Sequence, residues 1–221
     1  AGSYVGESVK GFLSQWPDKY EVSTVNSKDN KWKTTNFTGY DSVFHVAGIV
    51  HIKETKENRE LYYRVNRDMA VEVAKKAKAA GIKQFIFMST MSVYGMDTGI
   101  ITKETPTNPK NSYADSKLQA EELILALADG NFKVCILRPP MIYGKNCKGN
   151  FQSVIKVVRK SPLFPKVRNQ RSLIFIDNFS SFIKKAIDEG LDGLYFPQDR
   201  QYMNTTQMAS WIAEELGKKE Y

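Results

Sequence analysis

The chain alternates short apolar runs with longer segments of helical periodicity, and this alternation constrains its fold most strongly. Runs rich in β-branched and aromatic residues predict strands at 21–25, 42–46, 84–88, 133–137 and 172–176. Several runs are apolar almost without interruption, as strands covered on both faces must be. Between them, apolar residues recur every three or four positions, notably over 61–77 and 118–127. The pattern predicts an α/β fold with a doubly wound parallel sheet.

Composition places the chain among ordinary globular proteins. Hydrophobic residues make up 42% of the 221 positions and charged residues 25%, which excludes disordered and fibrous classes. The longest apolar run, 43–50, is too short to span a membrane, so no membrane partner is expected. Cys135 and Cys147 cannot build a disulfide framework, and we expect a reducing, cytoplasmic setting. With two histidines and no clustered thiols, no metal site is expected.

The net charge of +8, from 32 Lys and Arg against 24 Asp and Glu, points to an anionic partner. Nucleic acid, anionic lipid and an anionic small molecule all fit such a charge, which does not choose among them. The stretch 156–171 is basic without one acidic residue. A diphosphate ligand would use one or two of its cations, with Arg favoured for its forked donors.

Polar side chains with acid–base chemistry occur near the predicted strand ends, where α/β sheets bind their ligands. Tyr113 and Lys117 are four residues apart on a predicted helix, which places both on one face. A nearby ammonium lowers the pKa of a phenol, so the pair suits proton transfer at an alcohol or carbonyl. The hydroxyls of Ser89 and Thr90 directly follow the run 84–88.

Gly2 and Gly6 precede a helical stretch predicted over 7–15. Glycines at a strand-to-helix turn let the backbone approach a pyrophosphate, and the helix N-terminus then supplies amide donors. Two glycines also suit an ordinary loop, so the pair alone is a weak signal.

Several motifs follow one another in a fixed order along the chain. They are Tyr40-Asp41-Ser42-Val43-Phe44-His45-Val46-Ala47-Gly48, Val65-Asn66, Ser89-Thr90 with Val93-Tyr94-Gly95, Tyr113 with Lys117, and Arg138-Pro139 with Tyr143-Gly144. In this order they resemble the extended short-chain dehydrogenase/reductase family, in particular its nucleotide-sugar epimerases and dehydratases of the UDP-glucose 4-epimerase type. The resemblance implies a Rossmann-like NAD(P)-binding domain over 1–145. It also implies that 146–221 contributes a small C-terminal substrate-binding lobe and returning elements of the Rossmann domain.

The resemblance also assigns roles to individual residues. It implies a catalytic set of Thr90, Tyr113 and Lys117. Cofactor contacts are expected from Gly2, Tyr4, Val5, Gly6, Asn26, Ala47, Gly48, Asn66, Ser89, Tyr113, Lys117 and Pro140. Substrate contacts are expected from Tyr94, Asn150 and Arg171. Tyr94 also suits a core position. His45 is expected to be a packed, hydrogen-bonded core histidine rather than a catalyst.

The implied activity is NAD(P)-dependent epimerisation of a UDP- or dTDP-hexose through transient oxidation at C4, by a homodimer. Dehydratases of the family carry an acidic pair after the catalytic threonine, where this chain has Met91 and Ser92, so dehydration is disfavoured. An NADPH-dependent 4-ketoreductase remains an alternative. A dinucleotide-sensing or RNA-associated binding module is a further alternative. A protein that has lost its enzymatic activity, however, has no need to keep the three catalytic residues.

NAD is the expected cofactor and NADP the alternative, because Asn26 replaces the carboxylate that usually binds the adenosine ribose. The family's first strand and first glycine would lie before Ala1, and the C-terminal end of the fold would lie beyond Tyr221. On this basis we expect the chain to be an interior portion of a larger enzyme.

Overall fold

Strands and helices alternate along the chain in the computed structural model, which describes residues 2–27, 30–50, 52, 54–147, 150–161 and 166–218. The strands are β1 (Ser42–His45), β2 (Gln84–Met88), β3 (Lys133–Leu137), β4 (Met141–Tyr143), β5 (Leu173–Phe175) and β6 (Gly193–Tyr195). The helices are α1 (Tyr4–Leu13), α2 (Arg59–Tyr62), α3 (Met69–Ala79), α4 (Ser112–Leu125), α5 (Asn150–Lys160), α6 (Ile176–Asp188) and α7 (Thr205–Glu215). A π-helical turn, Tyr63–Asp68, joins α2 to α3, and single 3₁₀ turns cover Lys31–Lys33 and Met91–Tyr94.

A four-stranded parallel sheet in the order β1-β2-β3-β6 forms the centre of the fold. Successive side chains of β2 face opposite sides of it. Phe85 and Phe87 pack into a core with α3 and α4, whereas Ile86 packs into a second core with α1 and α6. Helices therefore cover both faces, and the doubly wound α/β fold predicted from the apolar runs is confirmed.

Two of the predicted strands differ from the structure. Residues 21–25 belong to none of the strands in the described part of the chain, where β1 is the edge of the sheet. The run 172–176 contains β5, which pairs with β4 in a separate two-stranded sheet. The fourth place in the central sheet belongs to β6, which is only three residues long and has no apolar run to reveal it.

The helix starts follow the capping chemistry of the sequence with small shifts. The side chain of Asn111 accepts a hydrogen bond from a backbone N–H of the first turn of α4. α7 is capped by Asn204, whose side chain accepts hydrogen bonds from the Thr206 and Gln207 amides. α1 begins at Tyr4 rather than at residue 7, because the Ser3 hydroxyl provides the cap.

A small lobe lies beyond the central sheet in the C-terminal part of the chain. There α5 packs against α7 through Val158, Ala209 and Ala213, which form a core cluster separate from the two beside the sheet. Among the described residues, no helix has both the length and the apolar character that crossing a bilayer requires.

The turn after the 3₁₀ segment yields a stability prediction. Gly95 has φ 59°, and a Cβ at this position would lie 2.0 Å from the backbone oxygen of Asn108. Gly95→Ala should therefore lower the free energy of unfolding by about 2 to 4 kcal/mol, measured by urea denaturation. The matched control is Gly11→Ala in α1, where a Cβ meets open space, and the helical position should gain about 0.5 to 1 kcal/mol. Equal effects of the two substitutions would contradict this reading of Gly95.

Candidate active site

A cavity of about 1190 Å³ opens at the carboxyl ends of the parallel strands. Many of the residues that the sequence assigned to cofactor and chemistry line it: Gly2, Tyr4, Val5, Asn26, Ala47, Gly48, Ser89, Thr90, Tyr113 and Pro140. These residues come from six separate stretches of the chain, which the fold brings to one place. Gly6, Asn66 and Lys117 are not in the lining and support it from behind.

The N-terminus of α1 forms one wall of this cavity. Gly2 adopts a φ of 83°, and Ser3 caps the helix. The positive end of the helix dipole at this wall suits an anionic group such as a pyrophosphate, although the Gly2 amide here donates to the Glu7 carboxylate at 3.2 Å. Gly6 faces β1 instead, where an added Cβ would lie 3.2 Å from the Val46 side chain, so its role is helix–strand packing.

Asn66 fixes the loop that follows β1. It is fully buried in the π-helical turn, and its Oδ1 accepts a hydrogen bond of 2.8 Å from the Ile49 amide. Its Nδ2 donates to the Ile49 carbonyl and to the Ser116 hydroxyl of α4. A Cβ on Gly48 would lie 2.9 Å from Asn66 Oδ1, so only glycine fits this close approach. π-helical turns are frequent at functional sites, and this one carries the residue that shapes the cavity wall.

Lys117 is buried at the end of β2. Its Nζ donates to the Met88 carbonyl at 2.8 Å and lies 4.7 Å from the centre of the Phe87 ring. Burial lowers the pKa of Lys117 to about 8, and the Glu121 carboxylate acts in the opposite direction. At pH 7 most molecules therefore carry an ammonium here.

Tyr113, one helical turn before Lys117, reaches the cavity beside Thr90, whose hydroxyl donates to Ser92 Oγ at 3.1 Å. Burial raises the pKa of Tyr113 above its usual value, whereas the nearby Thr90 hydroxyl acts to lower it. The expected lowering of this pKa by Lys117 is thus wrong for the cofactor-free protein. The physical reason is that desolvation of the phenolate outweighs the stabilisation that the surrounding groups provide.

Two of the expected substrate residues, Tyr94 and Arg171, do not line the cavity. The 3₁₀ turn directs Tyr94 into the core, where it is 1% exposed and its hydroxyl accepts a hydrogen bond of 2.6 Å from Arg138. Arg171 is exposed, and its backbone pairs with Met203 away from the cavity. Asn150 begins α5, and its side chain lies outside the described residues.

His45 occupies a core position, as the sequence predicts. Its ring stacks on Phe85 and Phe87, with centroids 5.9 Å away in each case. Its Nε2 has no hydrogen-bond partner among the described residues, so the expected hydrogen bonding is not found at that atom. Burial lowers the pKa of His45 to about 3, and the nearby Lys117 charge acts in the same direction.

Sequence reasoning missed Glu121, which is 2% exposed and ion-paired with Arg138 beneath the site. Its position four residues after Lys117, on the same face of α4, was the available signal. Arg138 was recognised as part of a motif, but no role followed from it.

The fold and the site define a Rossmann-type α/β protein with a ligand cavity at its strand ends. The chain belongs to the NAD dependent epimerase/dehydratase family, whose model matches residues 11–195.

A UDP-glucose 4-epimerase from Vibrio cholerae is 33% identical over 211 residues, which cover 90% of this chain and 63% of that protein. The chain thus spans less than two thirds of that relative. A solved dTDP-4-dehydrorhamnose reductase from Clostridium acetobutylicum superposes with a TM-score of 0.83 at 19% identity, covering all of this chain and 79% of its own. The UDP-glucuronic acid 4-epimerase from Bacillus cereus, in complex with NAD, gives 0.76 at 19% identity and covers 96% and 71%. At these identities, the structural matches show a shared fold.

Because the His45 imidazole is buried in its neutral form, we expect the free energy of unfolding to fall in acid. The unfolded chain protonates His45 below pH 6.5, whereas the native state does not until about pH 3. The stability that depends on a neutral His45 is therefore complete above pH 6.5 and is lost as the pH falls towards 3. Between pH 7 and pH 5 this loss is about 2 kcal/mol. His45→Leu should abolish that part of the pH dependence in urea denaturation, and an unchanged slope would contradict the assignment.

Proposed function

We propose that the protein is an NAD(P)-dependent nucleotide-sugar 4-epimerase that oxidises C4 of a UDP- or dTDP-hexose transiently. The observation that carries the proposal is the meeting of Thr90 and Tyr113 at the cavity wall, with Lys117 buried behind them. Family membership and the likeness to the V. cholerae UDP-glucose 4-epimerase support the same activity.

The cavity fits a dinucleotide in its donors and in its shape. The start of α1 offers backbone amides and the positive end of its dipole for a pyrophosphate, and Gly2 and Gly48 line the cavity. Asn26 lies on the wall of the same cavity and suits the adenosine ribose. Ser89, Pro140 and Ala47 would contact the nicotinamide end. When bound, the cofactor supplies a reversible hydride acceptor.

Tyr113 would act as the base that takes the proton from the C4 hydroxyl and returns it at the end of the cycle. With the cofactor bound, the Lys117 ammonium would favour the phenolate, against the burial that raises the pKa of Tyr113 in the cofactor-free protein. Thr90 would donate a hydrogen bond to the reacting oxygen as negative charge develops there. In an epimerase the 4-keto sugar then turns and is reduced on its other face. Asn150 and Arg171 are proposed to bind the diphosphate. Because Arg171 lies away from the cavity, this role requires that the C-terminal lobe approach the cavity.

An NADPH-dependent 4-ketoreductase is the second candidate. It is favoured by Asn26, which brings no carboxylate to repel a 2′-phosphate at the ribose end of the cavity. The residues that carry proton transfer would be the same, so only the fate of the cofactor separates the two activities.

The first test removes the proposed base. Tyr113→Phe should lower kcat at least about 100-fold, because general acid–base catalysis is lost, while the folded protein keeps its thermal midpoint. Tyr63→Phe is the matched control: its hydroxyl donates to Asp115 on α4 and does not line the cavity, so kcat should stay near the wild-type value. A Tyr113→Phe enzyme with wild-type turnover would refute the assignment.

The second test identifies the reaction. Full-length protein is incubated with a panel of UDP- and dTDP-sugars, and products are followed by NMR. Epimerisation should interconvert C4 epimers without net change in nicotinamide absorbance, and denaturation of the enzyme should release NAD. Stoichiometric consumption of NADPH with a 4-keto sugar would establish the reductase instead. Salt-sensitive RNA binding without any turnover would point to a binding module.

A further inference from the structure

A buried ionic network beneath the site joins α4 to the ends of β2 and β3. Arg138 donates from Nε to both carboxylate oxygens of Glu121 at 3.1 Å, and from Nη2 to Oε2 at 2.5 Å. The Ser89 hydroxyl donates to the same carboxylate. Glu121 is 2% exposed and Arg138 8%, so the charges are removed from water and stabilised mainly by these bonds.

The second arm of Arg138 extends the network beyond the strand end. Nη1 donates to the Tyr94 hydroxyl at 2.6 Å, and the guanidinium lies 5.0 Å from the centre of the Tyr94 ring. Ser89 and Tyr94 flank the segment that contains Thr90. The network therefore holds this segment on both sides and connects it to the helix of Tyr113 and Lys117.

Stability alone gives a poor account of such a network. Removing two charges from water costs several kcal/mol per ion, and well-packed apolar pairs of similar volume often stabilise a core equally well. Unlike an apolar pair, the ion pair fixes the relative orientation of Glu121 and Arg138, because the forked donors of Arg fit a carboxylate in one geometry.

We propose that Glu121 is a positioning residue, which acts through Arg138 and Ser89 to hold Thr90 in hydrogen-bonding reach of Tyr113. The inference rests on the proposed C4 chemistry. Displacements of about 1 Å at a reacting centre can cost on the order of 100-fold in rate, so this role is kinetically consequential.

The charge of Glu121 also affects the pKa of Lys117, and this effect must be separated from the positioning of Thr90. The charged and titratable groups that face Lys117 are Tyr113 and Glu121 on α4, His45 on β1, and Arg138 behind Glu121. The Glu121 carboxylate opposes the lowering of the Lys117 pKa by burial. A variant that keeps the carboxylate but shortens its reach therefore tests position without removing the charge.

The main test replaces the ion pair with an apolar pair in the full-length enzyme. Glu121→Leu/Arg138→Met should keep the thermal midpoint within a few degrees, since the two partners of the ion pair are removed together and Lys117 keeps its bond to the Met88 carbonyl. We expect kcat to fall at least about tenfold, with KM for the nucleotide sugar within about twofold. Lys185→Met/Glu189→Leu, which removes an exposed pair at the end of α6, is the matched control and should leave kcat unchanged. A folded double variant with wild-type kcat overturns the proposal.

A second variant keeps the test decisive if the double variant does not fold. Glu121→Asp retains the charge but is one methylene shorter, so it cannot hold Arg138 and Ser89 together. We expect a folded protein in which the pKa of Tyr113 rises, because the Thr90 hydroxyl that acts to lower it moves away. Ring-labelled tyrosine NMR measures this pKa without any turnover, and Tyr113→Phe identifies the resonance.

The two hypotheses fail in different ways. A wild-type protein that converts no sugar in the panel contradicts the proposed function, whatever Glu121 does. An unchanged Tyr113 titration in Glu121→Asp contradicts the positioning role, whether or not a substrate has been found.

Discussion

The site depends on the burial of one cation, Lys117, against the end of β2. Desolvation of an ammonium is costly, and here it is offset by the Met88 carbonyl at 2.8 Å and by the face of Phe87. These contacts fix α4 on the sheet. Tyr113 stands one turn earlier on the same helix, so the contact that satisfies the cation also delivers the phenol to the cavity. The contacts that pack α4 on the sheet are thus the same contacts that position Tyr113 at the cavity.

The central part of the fold could be predicted from the sequence for a simple reason. β2 and β3 are covered on both faces, so after their first residues, Gln84 and Lys133, they are apolar throughout, and their bounds were predicted correctly. The Asn111 cap of α4 depends only on neighbouring residues, and local chemistry of this kind is readable in a sequence. The residues that line the cavity were accessible because parallel strands end at one edge.

Features that depend on distant parts of the chain were not accessible. β4 and β6 have three residues each, and their pairing is decided by the elements around them. Whether Tyr94 faces the substrate or the core is decided by the 3₁₀ turn and by Arg138, which directly follows β3. Glu121 was missed because its importance appears only when α4 and the end of β3 are known to meet. The raised pKa of Tyr113 has the same origin, since burial is a property of the folded molecule.

The cavity has a thermodynamic consequence beyond catalysis, because it shares walls with the hydrophobic core. Trp32, Phe37, Val73 and Ile82 belong both to its lining and to the core cluster that packs α3 on the sheet. A molecule that fills the cavity therefore completes the packing of that cluster and binds the native state alone. At a ligand concentration 100 times its Kd, this linkage adds about 2.7 kcal/mol to the free energy of unfolding. The lifetime of the protein in a cell is then tied to the supply of its own ligand.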